Sequence, residues 1–169
     1  MTGKSTIAKE LAVRINGLIL NKDVLRATLL QREDIDYSRS QDDFIMEIIF
    51  QLSKHLLSRN PDRNIILDGR PFSRRYQRDA LRQAAKDAGT KLFILECVCS
   101  DESARIRLQE AREAKEHLAA NRDFSLYRRL KDSWQEIKEP HLVLDTDRYN
   151  LGTCVQTALT YLEKKKHHE

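Results

Sequence analysis

Gly3-Lys4-Ser5-Thr6 runs without a break into Ile7-Ala8-Lys9-Glu10-Leu11-Ala12-Val13-Arg14-Ile15. Ile7, Leu11 and Ile15 recur every fourth residue with Ala8 and Ala12 beside them. That spacing predicts one helix over 5–15, closed by Asn16-Gly17. A glycine, a lysine and two hydroxyl residues at a helix start form the second half of the pattern GxxxxGK[ST]. Glycine lets the backbone approach an anion closely, and the free N–H groups of the first helical turn point at it. In this pattern Lys4 bridges the β- and γ-phosphates of ATP and the Ser5 hydroxyl ligates Mg²⁺, with Thr2, Gly3 and Thr6 lining the same loop. A bare GKST also arises by chance and often only caps a helix. The amphipathic helix and buried strand that follow give it weight.

Upstream, Gly3 fills the sixth place of the pattern, and Thr2 and Met1 fill the fifth and fourth. The first glycine, and the strand that leads into such a loop, have no counterpart in the 169 residues. Four candidate strands remain where the architecture needs five, so a gap in the sheet and marginal stability are expected.

Downstream, helices alternate with short apolar runs. Leu18-Ile19-Leu20 is a strand apolar on both faces, and Asn21 and Asp23 open a second helix carrying Val24, Leu25 and Leu29. Residues 31–40 read as a polar loop and 42–58 as a long helix. Asn64-Ile65-Ile66-Leu67 is a second strand, ending at Asp68-Gly69, and 73–88 a helix stopped by Gly89. Leu92-Phe93-Ile94-Leu95 begins a third strand that continues to Cys99. A charged helix opens at Asp101-Glu102 and runs past Arg112, and another helix over 125–137 carries the lone tryptophan, Trp134. His141-Leu142-Val143-Leu144 is the last strand, and a final helix uses Val155, Leu159 and Leu162. Alternating helices and doubly apolar strands predict an α/β three-layer sandwich: a parallel sheet covered by helices on both faces. The expectation is one domain over 1–163 with a helical lid at about 107–128, and a disordered tail over 164–169.

Ligands of such sheets bind beyond the C-terminal strand ends. Four corners therefore matter: Asn21 to Asp23, Asp68 to Arg70, Ser100-Asp101, and Asp145 to Asp147. Each aspartate also has a plain reading as a helix cap.

With 40% hydrophobic and 33% charged residues, the composition is that of a folded globular chain and not of a disordered one. No apolar run approaches the ~20 residues of a membrane helix, and the polar N-terminus lacks a signal-peptide layout. Cys97, Cys99 and Cys154 have no zinc or redox spacing and read as reduced thiols of a cytoplasmic protein. His55, His117 and His141 are scattered and do not form a metal cluster. Thirty Lys and Arg nearly balance 26 Asp and Glu, so a net charge of +4 makes no case for a dedicated nucleic-acid binder. Arg70, Arg74, Arg75, Arg78 and Arg82 nevertheless crowd one stretch, either as solvated helix faces or as phosphate contacts.

Gly3 to Ala8, the corner Asn21-Lys22-Asp23-Val24-Leu25-Arg26 and the strand Leu142-Val143-Leu144-Asp145-Thr146 together resemble the P-loop kinase branch. That branch holds polynucleotide 5′-kinases, gluconate kinase, chloramphenicol phosphotransferase, adenylylsulfate kinase and zeta toxins, and the resemblance covers nearly the whole chain in order and spacing. It implies that Asp23 is the general base for the acceptor hydroxyl and that Arg26, one turn later, holds an anionic group of the acceptor. It implies that Asp68 lies near substrate and Mg²⁺, and that lid arginines reach the transferring phosphate. Arg107 and Arg112 match the lid spacing best, ahead of Arg105 and Arg122. Asp145, Thr146 and Arg148 are nominated for the adenine site. Where the branch has small or hydroxyl residues after the strand-end aspartate, this chain has Gly69-Arg70-Pro71, which points to a polar, anionic acceptor. Residues 31–43 and 70–78 are expected to line its pocket.

Three functions fit. The first is an ATP-dependent kinase phosphorylating a hydroxyl of a small molecule or nucleotide. The second is a P-loop protein that binds ATP and has lost transfer, acting in regulation. The third is a nucleic-acid 5′-end kinase, supported by Asn21, Asp23 and Arg26 but opposed by a basic stretch whose only aromatics are Phe72 and Tyr76.

Overall fold

The computed structural model describes residues 2–113 and 123–166. Met1, part of the expected lid and the last three residues lie outside them, as do Arg122, His117 and the side chain of Arg112.

The first half runs α1 (Lys4–Ile15), β1 (Leu18–Asn21), α2 (Lys22–Leu29), a 3₁₀ turn (Arg32–Asp34), α3 (Arg39–Arg59) and β2 (Ile65–Asp68). The second runs α4 (Arg75–Asp87), β3 (Leu95–Val98), α5 (Asp101–Glu113), α6 (Phe124–Asp132), β4 (Leu142–Asp145) and α7 (Leu151–Lys166). β1 pairs β2 in parallel, Leu18 opposite Ile65 through Asn21 opposite Asp68. β3 pairs β4 in parallel, Leu95 opposite Leu142 through Val98 opposite Asp145.

Both faces of the strands are covered. Ile66, Leu95, Cys97 and Leu142 pack on a core of Ile7 and Leu11 from α1, Leu144, and Cys154, Val155 and Ala158 from α7. Leu18, Ile65 and Leu67 pack on the opposite core, built on Leu20 and on Ile45, Met46 and Ile49 of α3. The period of two along β2 thus sends Ile66 one way and Ile65 and Leu67 the other.

The expected single sheet is interrupted. The strands form two separate pairs, β1-β2 and β3-β4. A cavity of about 2400 Å³ is lined by β2 and β3 but by neither β1 nor β4, so it opens between the two pairs. This is the gap anticipated from the strand count.

Three boundaries also shift. β3 starts at Leu95 rather than Leu92, α6 stops at Asp132 rather than continuing to 137, and α7 is helical through Lys166 where a disordered tail was expected from 164.

Candidate active site

α1 begins without a side-chain cap: Gly3 is its N-cap in the left-handed region at φ 75°. An added Cβ there would meet the Thr146 side chain in ordinary contact at 3.4 Å, so it is the left-handed backbone that selects glycine. Only Ile7 N–H, the first that can, closes a helical bond back to Gly3 O, at 3.0 Å. The amides of the preceding turn, at Lys4, Ser5 and Thr6, precede the first intrahelical bond and are the donors an anion uses. The Lys4 ammonium donates to the Thr2 hydroxyl at 2.9 Å.

The corner after β1 is a dense ion network. Asn21, not Asp23, caps α2: its side-chain oxygen accepts from Asp23 N at 2.9 Å and Val24 N at 3.1 Å. Its amide donates to Asp68 at 2.8 Å, which ties the ends of the two paired strands together. Capping by Asn21 leaves the Asp23 carboxylate for other contacts. It accepts from Arg26 at 3.0 Å and lies 3.4 Å from the Lys22 ammonium. Asp42, in the first turn of α3, accepts from Lys22 at 2.6 Å and also from Arg26. Arg26 packs over the Tyr37 ring, 5.2 Å from its centre. Arg70 pairs with Asp43, which also accepts from the Tyr76 hydroxyl at 3.0 Å. Lys22, Asp23, Arg26, Asp68 and Arg70 are all buried, so each charge depends on these partners.

One cavity collects the two sets. Thr2, Gly3, Lys4, Ser5 and Thr6 line it together with Asp23, Arg26, Asp68, Arg70 and Arg107. Tyr37, Asp42 and Phe72 line it from the segments expected to surround an acceptor.

The AAA domain family matches residues 2–137. The chain belongs to this family. It adopts the fold of P-loop kinases. The APS kinase of Mycobacterium tuberculosis, solved with AMPPNP and APS, superposes with a TM-score of 0.69 at 19% identity, covering 96% of this chain and 91% of that one. A gluconokinase from Sinorhizobium meliloti gives 0.63 at 18% identity, covering 96% and 86%. A sugar kinase from Janibacter gives 0.64 at 19% identity, covering 96% and 88%. No curated protein sequence matches the chain. At these identities the neighbours establish the P-loop kinase fold and leave the acceptor open.

The other expected residues are placed differently. Thr146 does not line the cavity; its hydroxyl and carbonyl accept from Arg107 at 2.8 and 3.0 Å, and Asp147 lies 3.4 Å from the same guanidinium. Arg107, which does line the cavity, is thereby tied to the end of β4. Asp145 accepts from the backbone of Asp147 and Arg148 at 2.9 and 3.1 Å, which makes it a turn former, and Arg148 stacks over Tyr149. Asp101 receives Tyr127 at 3.1 Å, together with Arg128 and Lys131, all from α6. Lys131 foremost, then Tyr127, hold its carboxyl below the usual range against the opposing effect of burial. Of the four sheet corners, only the first two send carboxylates into the cavity.

Of the arginines in 70–82, Arg75 and Arg82 pair with Asp79, and Arg78 is buried against backbone carbonyls. Arg74, like Arg70, lines the cavity, so the phosphate-contact reading narrows to these two. Lys22, Asp42, Asp43 and Tyr37 were not singled out from the sequence. The adjacent acids Asp42 and Asp43 near the start of α3 were the available signal, since they meet Arg26 and Arg70.

Proposed function

We propose that this protein is an ATP-dependent kinase that transfers the γ-phosphate to a hydroxyl of a small-molecule or nucleotide-type acceptor. The supporting observation is the single cavity that joins the phosphate-loop residues to the buried Lys22-Asp23-Arg26-Asp68-Arg70 group. In this reading the amides at the start of α1 and the Lys4 ammonium hold the β- and γ-phosphates. The donors present suit a hard cation: the Ser5 hydroxyl and the Asp68 carboxylate are oxygen ligands of the kind Mg²⁺ takes, with phosphates and water completing its shell. Among the described residues no group of three His, Cys, Asp or Glu is placed to hold a metal. Bound Mg²⁺ would neutralise phosphate charge. Asp23 orients the acceptor hydroxyl and takes its proton, and the Arg26 and Lys22 cations keep the carboxylate fixed in direction. Arg26 and Arg70 face an anionic portion of the acceptor, which would compete with Asp42 and Asp43 for them. Arg112, by its spacing, is assigned to the transferring phosphate.

ATP·Mg²⁺ should raise the melting temperature of the protein, and Lys4→Ala should remove that gain. Equal shifts in both would sink the phosphate-loop assignment. A screen with labelled ATP across sugars, nucleosides, 5′-hydroxyl oligonucleotides and aminoglycoside-like alcohols should find an acceptor. Asp23→Asn should then leave ATP binding nearly unchanged while transfer falls by roughly 10²–10⁴-fold, the usual effect of losing a positioned base. Tight ATP binding with no transfer to any acceptor would favour a regulatory P-loop protein.

A further inference from the structure

Residues 133–139, which connect α6 to β4, lie strapped across the loop that follows β2. Gln135 donates its backbone N–H to Ser73 O at 2.8 Å, and its side-chain oxygen accepts from Arg75 N at 2.6 Å. Beneath this contact is Arg78, only 3% exposed. Its guanidinium donates from its two terminal nitrogens to two segments, to Phe72 O at 3.0 Å and to Glu136 O at 2.8 Å. Its Nε lies 3.5 Å from Glu139, whose other oxygen is 3.4 Å from Arg82. Phe72 has a left-handed backbone, φ 48°, which a residue with a large side chain holds only when its surroundings impose it.

A buried arginine is a costly way to fill space. What a guanidinium alone supplies is a rigid fork able to satisfy acceptors on two segments at once. Here one segment is the loop that carries Gly69 and Arg70 at the cavity, and the other leads directly out of α6. α6 itself is tied to Asp101 through Tyr127, Arg128 and Lys131. A continuous set of bonds therefore runs from the corner after β3, through α6 and residues 133–139, to the loop after β2.

We propose that Arg78 is a positioning residue that couples the conformation of loop 69–74 to that of α6. The coupling is a property of the free protein. Its significance for catalysis rests on the kinase reading, in which loop 69–74 faces the acceptor. Coupling of this kind is reciprocal, so loosening either end loosens the other. Arg78→Lys keeps the charge and most of the stem, but a single ammonium cannot bridge both carbonyls as the fork does.

The test is amide hydrogen exchange read by mass spectrometry on the ligand-free protein, so its failure is separate from failure of the ATP and transfer assays. Arg78→Lys should speed exchange about tenfold in both 69–74 and 133–137, leaving 151–164 unchanged. Tyr127→Phe, which removes one bond at the foot of α6, should speed exchange in 69–74 of the parent and have no further effect on 69–74 in the Arg78→Lys background. Gln135→Ala, which removes the strap's side-chain bond to Arg75 N–H without touching the buried arginine, should act in the same direction as Arg78→Lys, more weakly. An equal response of 69–74 to Tyr127→Phe in both backgrounds, or in neither, overturns the coupling. So does faster exchange spread evenly into 151–164, which would make Arg78 a general support of the fold.

Discussion

At Gly69 the backbone has φ 87°, and an added Cβ would sit 3.0 Å from Lys22 N and 3.1 Å from the Asn21 side-chain oxygen. Both the conformation and the space are closed to a side chain. Gly69→Ala should cost about 1–2 kcal/mol for the left-handed backbone alone, with more from the clash, as a lower urea midpoint. Cys97 lines the cavity, and its burial pushes the thiol from the ordinary 9.0 up to about 11, against the opposing pull of Lys4. A raised thiol pKa stabilises the fold fully below pH 9, and that contribution is lost as pH rises from 9 through about 11. The stability of the parent should therefore decline over that window more steeply than that of Cys97→Ala. Alkylation at pH 8 should also be far slower in the folded than in the unfolded protein. The resemblance to the P-loop kinase branch nominates Asn21, Asp23 and Arg26 together. It does not say which of them caps the helix, because Asn and Asp are equally good caps and the backbone turn decides.

Elements were most legible where one periodicity ran uninterrupted, and least legible where a distant segment supplied the partner. α1, α3 and α7 follow their apolar spacing to within a few residues. Leu92-Phe93-Ile94 is as apolar as any strand and was read as one, yet the paired ladder begins only at Leu95; those residues instead line the cavity, because apolarity records burial and not pairing. Ser133 to Ile137 continue a plausible helical pattern, but Gln135 bonds to Ser73 and Arg75, and that tertiary contact ends α6 at Asp132. None of those partners is near in sequence. At the level of single elements, α2 depends on its cap. Asn21→Ala removes two accepted bonds and leaves buried Asp68 without its amide partner. A loss of about 1–2 kcal/mol is expected from the cap and more from the carboxylate, measured by chemical denaturation.

At the scale of the whole molecule, the two strand pairs are joined by α1, which touches β1, β2 and α7, and by the strap over Arg78. Glu139 is the acidic member of that strap. Burial alone would raise its carboxyl, but backbone donors with Arg78 and Arg82 outweigh it and hold the group below its usual 4.5. A depressed carboxylate stabilises the folded state above pH 4.5, and this is lost as pH falls through the lower folded value. Emission from Trp134, the lone tryptophan and part of the strap, should shift over that acid range, and Glu139→Gln should flatten the transition. A shift identical in Glu139→Gln would assign the acid sensitivity elsewhere.

The cavity between β2 and β3 has one more consequence. A strand edge without a neighbour offers a row of N–H and C=O groups to any extended chain that arrives, and here two such edges flank one opening lined with Ile66, Leu67, Leu95 and Cys97. An extended segment seated in the opening would pair with both edges, and Thr2 to Thr6, at the start of α1, line the same cavity. Closing the sheet and supporting the turn at Gly3 would then be one event.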